Sequence, residues 1–292
     1  GKNETAYYEI LQGLHDIAED KNIKKVIIDV DKLNLTLSQI EEISKIFDKI
    51  RKNKEVVAIG TLFDESRYRQ ALFADKIYMF DTRQSSLIFR GYLHKEMYLK
   101  SFLEKFGIRM NVLHIGNYKV AGEKYSHNEM SEEKKESIKN IKDKVFESFV
   151  KLVKDKRGTD IKEEILNGNL IFAGKEKALE YKLIDGTADY DEIGINYRED
   201  TVSIEDYISM SKEKKEKAKD TIAVINLEGV IDIRNPKKNI TYDNVCDKLE
   251  ILEKMKNLKG LVLRINSPGG SALVSEKIYK KLKKLLAFTF SL

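Results

Sequence analysis

The sequence predicts an α/β protein built from two tandem copies of one unit, and three observations carry that expectation. Two short runs of branched apolar residues, Lys25-Val-Ile-Ile-Asp-Val30 and Gly260-Leu-Val-Leu-Arg-Ile265, read as parallel strands buried on both faces. Each follows a helical apolar pattern, set by Leu11, Leu14 and Ile17 before the first and by Cys246, Leu249 and Leu252 before the second. The two regions also align at a constant offset of 235, which brings Asn22-Ile-Lys-Lys-Val onto Asn257-Leu-Lys-Gly-Leu, Leu14 onto Leu249, Ile17 onto Leu252, Glu41 onto Glu276, Ile43 onto Ile278 and Lys45 onto Lys280. One offset held across a helix, a strand and a second helix marks a duplication.

The remaining elements follow in order. The second copy opens with a strand, Thr221-Ile-Ala-Val-Ile-Asn-Leu227, whose counterpart would fall before residue 1, so the first copy is expected to lack its opening strand. The second copy reaches Leu292 soon after its second helix and is expected to be incomplete. Between the copies, Glu132 to Lys156 carries Ile138, Ile141, Val145, Phe149 and Val153 at helical spacing. Asp160-Ile-Lys-Glu-Glu-Ile-Leu166 has the pattern of a short capped helix. Residues Lys212 to Lys219 (KEKKEKAK) are a charge run, read as a solvated helix or linker rather than a binding arm. The expected layout is a first domain over 1–211, a linker over 212–219 and an incomplete second domain over 220–292.

Composition bounds the function. The 292 residues are 41% apolar, enough to bury a core. Lys+Arg number 53 against 48 Asp+Glu, a net +5 that, spread over this length with no face shown to carry a basic excess, does not mark a nucleic-acid protein. The single cysteine, Cys246, forms no internal disulfide, and the four histidines have no metal-ligand spacing, so neither a disulfide scaffold nor a metal is expected. No segment has the roughly 20 apolar residues of a membrane span. The N-terminus carries neither Met nor a signal-peptide pattern, so the chain is expected to be a trimmed product whose membrane anchor, if it has one, lies outside these residues.

Two motifs could carry chemistry. In Arg264-Ile-Asn-Ser-Pro-Gly-Gly270 a strand ends and two glycines open a helix. Paired glycines permit unusual backbone angles and close approach to free N–H groups, which can bind an oxyanion or an extended peptide, although the same residues also suit an ordinary strand-to-helix turn. The first copy has Asp31-Lys-Leu-Asn-Leu35 in that place and no such cradle. The second motif, Gly116-Asn-Tyr-Lys-Val-Ala-Gly-Glu123, follows a strand-like run, Met110-Asn-Val-Leu-His-Ile115. Lys119 there is either a base or one surface lysine among many. His114, at an alternate position in that run, reads as a packed or edge histidine rather than a catalytic one. No Gly-x-Ser-x-Gly elbow and no GK[ST] phosphate loop occurs.

With these residues in view, the chain resembles the signal peptide peptidase A family in its long, double-domain form. The resemblance rests on Asn266-Ser-Pro-Gly-Gly-Ser271 with Ser275-Glu276, on Gly116 to Glu123 followed by Met130-Ser131-Glu132-Glu133, on Ala71-Leu-Phe-Ala-Asp-Lys-Ile77, and on Ile171-Phe-Ala-Gly-Lys-Glu-Lys-Ala-Leu179 with Leu183-Ile-Asp-Gly186. It implies tandem Clp-protease/crotonase-like domains, the second incomplete. It further implies a bacterial membrane-anchored serine endopeptidase that degrades cleaved signal peptides outside the cytoplasmic membrane and assembles into homo-oligomeric rings. The implied chemistry is a Ser–Lys dyad without cofactor or metal, with Lys119 as base and Gly269 and Gly270 lining the oxyanion hole. The family's Ala-Ser-Gly-Gly nucleophile segment has no counterpart here, Arg67-Tyr-Arg-Gln-Ala-Leu-Phe73 standing in its place in the first copy. Ser271 is not the family's nucleophile. The expectation is therefore a chain that holds the base and part of the cradle but not the attacking serine. A non-catalytic scaffold that binds peptides at the Gly-Gly edge remains the alternative, and an acyl-CoA enzyme of the same fold a weaker third reading.

Overall fold

The computed structural model describes residues 7–196, 199–212, 220–255 and 257–289. The chain divides into two compact units, Gly1–Lys212 and Glu213–Leu292. Residues 213–219 of the charge run, and the last three residues of the C-terminal tail, lie outside the described residues.

The first unit runs α1 (Tyr7–Glu19), β1 (Lys25–Asp29), α2 (Leu37–Ile50), β2 (Glu55–Gly60), β3 (Leu62–Asp64), α3 (Glu65–Ala71), β4 (Lys76–Met79) and β5 (Ser86–Ile88). It continues with α4 (Lys100–Lys105), α5 (Glu123–Ser126), α6 (Glu132–Arg157), α7 (Lys162–Leu166), β6 (Ile171–Gly174), α8 (Lys175–Glu180), β7 (Gly186–Thr187) and α9 (Ile204–Lys212). Strands β1, β2, β4 and β7 form one parallel sheet in that spatial order. A second sheet holds β3, β5 and β6, with β6 antiparallel.

Amphipathic helices account for the core. The apolar stripes of α1 (Leu11, Leu14, Ile17) and α2 (Ile40, Ile43, Ile46, Phe47, Ile50) are buried together with β2. Thr36 begins α2 through a capping box with Gln39. The chain steps from the first sheet to the second at Thr61, whose N–H, with that of Leu62, donates to the Asp31 carboxylate at 2.7 and 3.3 Å. In the first copy the strand-end position is thus spent on pinning a neighbouring strand. Tyr68 of α3 lies fully buried, edge-on to Phe63, Phe89 and Phe149, and its hydroxyl donates to the Leu183 carbonyl at 2.6 Å. Burial pushes that phenol well above its usual titration range.

The second unit contains β8 (Thr221–Glu228), α10 (Tyr242–Glu253), β9 (Leu258–Asn266) and α11 (Ala272–Thr289), with β8 and β9 parallel. Leu37 opens α2 and Ala272 opens α11, so the second helix of each copy recurs at the 235-residue offset seen in the sequence. The core of this unit gathers Ile225, Leu227, Val245, Leu249, Leu252, Val274 and Ile278 on one side of the pair of strands. The expectation of a strand buried on both faces fails for β9. Val262 is 46% exposed and, on β8, Ile222 is 67% exposed, because within the unit both helices pack on the other face.

Two further expectations change. The Met110–Ile115 run is not a strand; it is irregular, with Leu113 97% and Ile115 93% exposed. A strand exists only when another chain segment supplies the hydrogen-bonding edge, and none of the described residues does so here. His114 is accordingly neither packed nor at a strand edge. It is exposed, with Nδ1 3.0 Å from the Gly116 carbonyl oxygen. The stripe of α6 is buried only toward its C-terminal end, at Phe149, Val150 and Val153, while Ile141 is exposed.

Candidate active site

Lys119 belongs to the first unit, on a long excursion between β5 and α6. A turn places it: the Lys119 N–H reaches the Gly116 carbonyl at 3.4 Å, and Gly116 has φ 85°, which glycine adopts without strain. The lysine side chain is exposed. Its neighbour Tyr118 is tied to α6 by a hydroxyl that donates to Glu136 at 2.8 Å; that carboxylate acceptor raises the phenol's pKa. Gly122 is where the loop crosses Val112, since a Cβ there would sit 2.4 Å from Val112 Cγ1.

The motif continues into a buried carboxylate. Glu123 is 8% exposed and accepts from the Ser131 hydroxyl at 2.5 Å and from the Ser131 N–H at 3.4 Å. Ser131 is also the N-cap of α6, its Oγ accepting from the Lys134 N–H at 3.2 Å. Lys134 is buried, and its ammonium meets Glu96 at 2.5 Å. That bond, with a second from the Tyr98 hydroxyl, holds the Glu96 carboxyl below its usual range despite partial desolvation. The sequence reading treated Glu123 and Ser131 only as letters of a motif. The contact is made across the turn between α5 and α6 rather than along one regular element, so no periodic pattern signalled it.

Gly269 and Gly270 belong to the second unit, between β9 and α11. Ser271 caps α11, accepting from the Val274 N–H at 3.3 Å. Gly270 pairs in parallel with Ile231: the Ile231 N–H donates to the Gly269 carbonyl at 2.9 Å, and the Ser271 N–H donates to the Ile231 carbonyl at 2.8 Å. In a rung of this form the central residue's own N–H and C=O point the other way. The Gly270 N–H therefore faces away from Ile231, with no acceptor among the described residues. Gly269 has φ 104°, and its N–H donates to the Ser267 hydroxyl at 3.1 Å. Gly270 has φ 148°, and a Cβ on it would meet the Ile231 carbonyl oxygen at 2.1 Å. Ile231 is held from its other side by Ile240. The sequence reading missed Gly229 and Ile231; the signal was a glycine directly after β8, with φ 105°.

The strand-to-helix turn expected at Gly269-Gly270 is present. Only glycine fits at position 270, and the geometry leaves one donor turned outward beside a helix N-terminus. Chemically, such a donor can stabilise an oxyanion or pair with an extended peptide. No helix among the described residues is long and apolar enough to cross a membrane.

Comparison with known proteins finds related peptidases. The sequence model of peptidase family S49 matches residues 48–202, and that of Clp protease matches residues 213–288. Protease 4 of Haemophilus influenzae is 24% identical over 302 residues, an alignment covering 95% of this chain and 49% of that protein. Protease 4 of Salmonella typhi is 24% identical, with 96% and 48% covered, and the chloroplastic serine protease SPPA of Arabidopsis thaliana is 26% identical, with 92% and 42% covered. The chain thus spans about half the length of the curated relatives it matches. Its two α/β units have the tandem Clp-protease/crotonase-like fold that the signal peptide peptidase A resemblance implied. Because the first of these matches takes in more than half of the residues, the chain belongs to peptidase family S49.

Proposed function

We propose that this chain contributes two parts of a Ser–Lys endopeptidase centre, a lysine base at Lys119 and an oxyanion cradle at Gly269-Gly270. The attacking hydroxyl comes from outside the described residues. The observation that carries the reading is the Gly270 N–H, turned outward on an edge braced by Ile231. Gly269 shapes the turn, its own N–H being engaged by Ser267. The nearby serines are already occupied in ways that leave no poised nucleophile: the Ser267 hydroxyl donates to the Gly269 carbonyl at 3.4 Å, Ser271 caps α11, and the Ser275 hydroxyl donates to the Ser271 carbonyl at 3.0 Å.

In the proposed reaction a serine oxygen attacks the peptide carbonyl carbon and its proton passes to Lys119 Nζ. The carbonyl electrons move onto the oxygen, which accepts from the Gly270 N–H. The lysine then gives the proton to the leaving amine; in the second half, water loses a proton to the neutral Lys119 amine and attacks the acyl carbon, and the serine oxygen leaves, regaining its proton from the lysine. A lysine does this only when neutral. The free side chain titrates near pH ~10.4, and a base must work near about 7 to 8, a difference of roughly 4 kcal/mol of desolvation or like charge. Lys119 is exposed within its unit, so the covering surface must come from elsewhere. The bare Leu113 and Ile115 on the same segment give a neighbouring copy an apolar surface to seat against, which supports a homo-oligomer. The substrates are peptides, and the resemblance favours cleaved signal peptides at a bacterial cytoplasmic membrane, on its outer face. The same outward edge at Gly270 also supports a second reading, peptide capture without hydrolysis.

A peptidyl fluorophosphonate, which labels activated serines, separates these. The chain is expected to take no label. In an assembled form that does take label, Lys119→Ala is expected to lower turnover by roughly 1,000-fold or more, since an unactivated serine is a poor nucleophile. Labelling of Ser267 or Ser271, or retained turnover after Lys119→Ala, overturns the reading.

A further inference from the structure

The function just proposed uses Lys119 but leaves the rest of its motif unemployed, and we propose that Glu123 and Ser131 form a clasp that positions the lysine loop. The inference rests on Lys119 being the base. Glu123 is a buried carboxylate with no basic partner among the described residues; its oxygens go to the hydroxyl and the amide of one residue, Ser131. That hydroxyl works in two directions. It donates to Glu123 and accepts from the first turn of the 26-residue α6. A buried carboxylate is costly unless its lone pairs are satisfied, so Glu123 holds its place only while the serine holds the helix.

The clasp is one link in a closed ring of polar contacts. From Ser131 the ring passes to Lys134, whose ammonium reaches Glu96 on the strap that precedes α4. Glu96 accepts from Tyr98, and the next residue, Leu99, donates its N–H to the Lys124 carbonyl at 2.7 Å. Lys124 follows Glu123 directly, which closes the ring. Lys119 stands one short turn outside it, since the Glu123 N–H donates to the Val120 carbonyl at 3.1 Å. The loop that carries the lysine is otherwise irregular and exposed, so this ring, with Val112 packed on Gly122, is what fixes the stem from which Lys119 projects. Glu123 and Ser131 are positioning residues that act on Lys119 through the loop.

Hydrogen exchange on the full chain tests this independently of catalysis. Glu123→Ala is expected to speed exchange of the hydrogen-bonded amides at the base of the loop, those of residue 123, Tyr125 and His127, about tenfold or more, with the buried end of α6 around Phe149 unchanged. Glu123→Gln, whose amide oxygen still accepts from the Ser131 hydroxyl, is expected to restore the native rate. Ser131→Asp separates the clasp from the cap: the aspartate still caps α6 but cannot donate to Glu123. The amides at the base of the loop should speed up as in Glu123→Ala while those of Lys134 and Lys135 stay protected. The proposal is overturned if both Glu123→Ala and Ser131→Asp leave these loop-base amides within about twofold of the native rate. It is equally overturned if acceleration spreads through the whole unit or if Glu123→Gln fails to rescue. Because the readout does not involve turnover, failure of the clasp leaves the role of Lys119 standing, and loss of that role leaves the clasp standing.

Discussion

Replacing Gly270 with alanine is expected to destabilise the second unit by about 3 kcal/mol or more, the scale of a steric and backbone conflict that cannot relax. The new methyl group would lie 2.1 Å from the Ile231 carbonyl oxygen, 2.8 Å from its carbon and 2.9 Å from its nitrogen. All three are backbone atoms, so no side chain can swing aside. Ile231 cannot retreat either, because it bridges to Ile240 on its other side. The backbone angle adds to the conflict, since φ 148° is rarely open to a residue with a Cβ. A unit of this size commands only several kcal/mol in total, so the variant should expose α10 and α11 to rapid hydrogen exchange. Gly269→Ala is the control. It has no atom within 4 Å of the added methyl but φ 104°, so it carries backbone strain alone, on the order of 1 kcal/mol. Equal losses in the two variants would show that the Ile231 contact is not what demands glycine.

Tyr68→Ala should be the most damaging single truncation in the first unit, at about 3 to 5 kcal/mol, as for other buried aromatic residues cut to alanine. The ring is fully buried and lies 5.2 Å from Phe89 and 6.3 Å from both Phe63 and Phe149, so three aromatic neighbours lose a wall together. Tyr68→Phe keeps the ring and removes only the hydroxyl that meets the Leu183 carbonyl. It should cost about 1 to 2 kcal/mol, the penalty of leaving a buried acceptor unsatisfied. Urea unfolding followed through the first unit's tyrosines would rank the two variants. A phenylalanine variant as unstable as the alanine variant would mean that the hydrogen bond, not the packing, dominates at this site.

Much of the fold was legible because its signals are local. Leu11, Leu14 and Ile17 recur at the period of a helix and are buried on one face of α1; Cys246, Leu249 and Leu252 do the same on α10. The 235-residue offset was readable because a duplicated unit repeats its apolar pattern, and the helix starts at Leu37 and Ala272 follow it. The Met110–Ile115 run misled because apolar, branched residues favour a strand wherever they occur, whereas a strand also needs a partner edge. β9 misled in the same way: its composition said two covered faces, and its unit covers one.

At the candidate site the division is similar. The amino-acid order offered Lys119, Gly269 and Gly270 as candidates through two motifs and their resemblance to a known family, while side-chain type and glycine pairing alone left a surface lysine and an ordinary turn equally open. Tertiary structure alone decided that Gly270, not Gly269, keeps its donor turned outward, that Ile231 forbids any side chain there, and that Glu123 closes on Ser131. The reason is physical. Helical and strand periods are written in neighbouring residues, while a hydrogen bond or a steric limit depends on which distant backbone atom folding brings within about 3 Å.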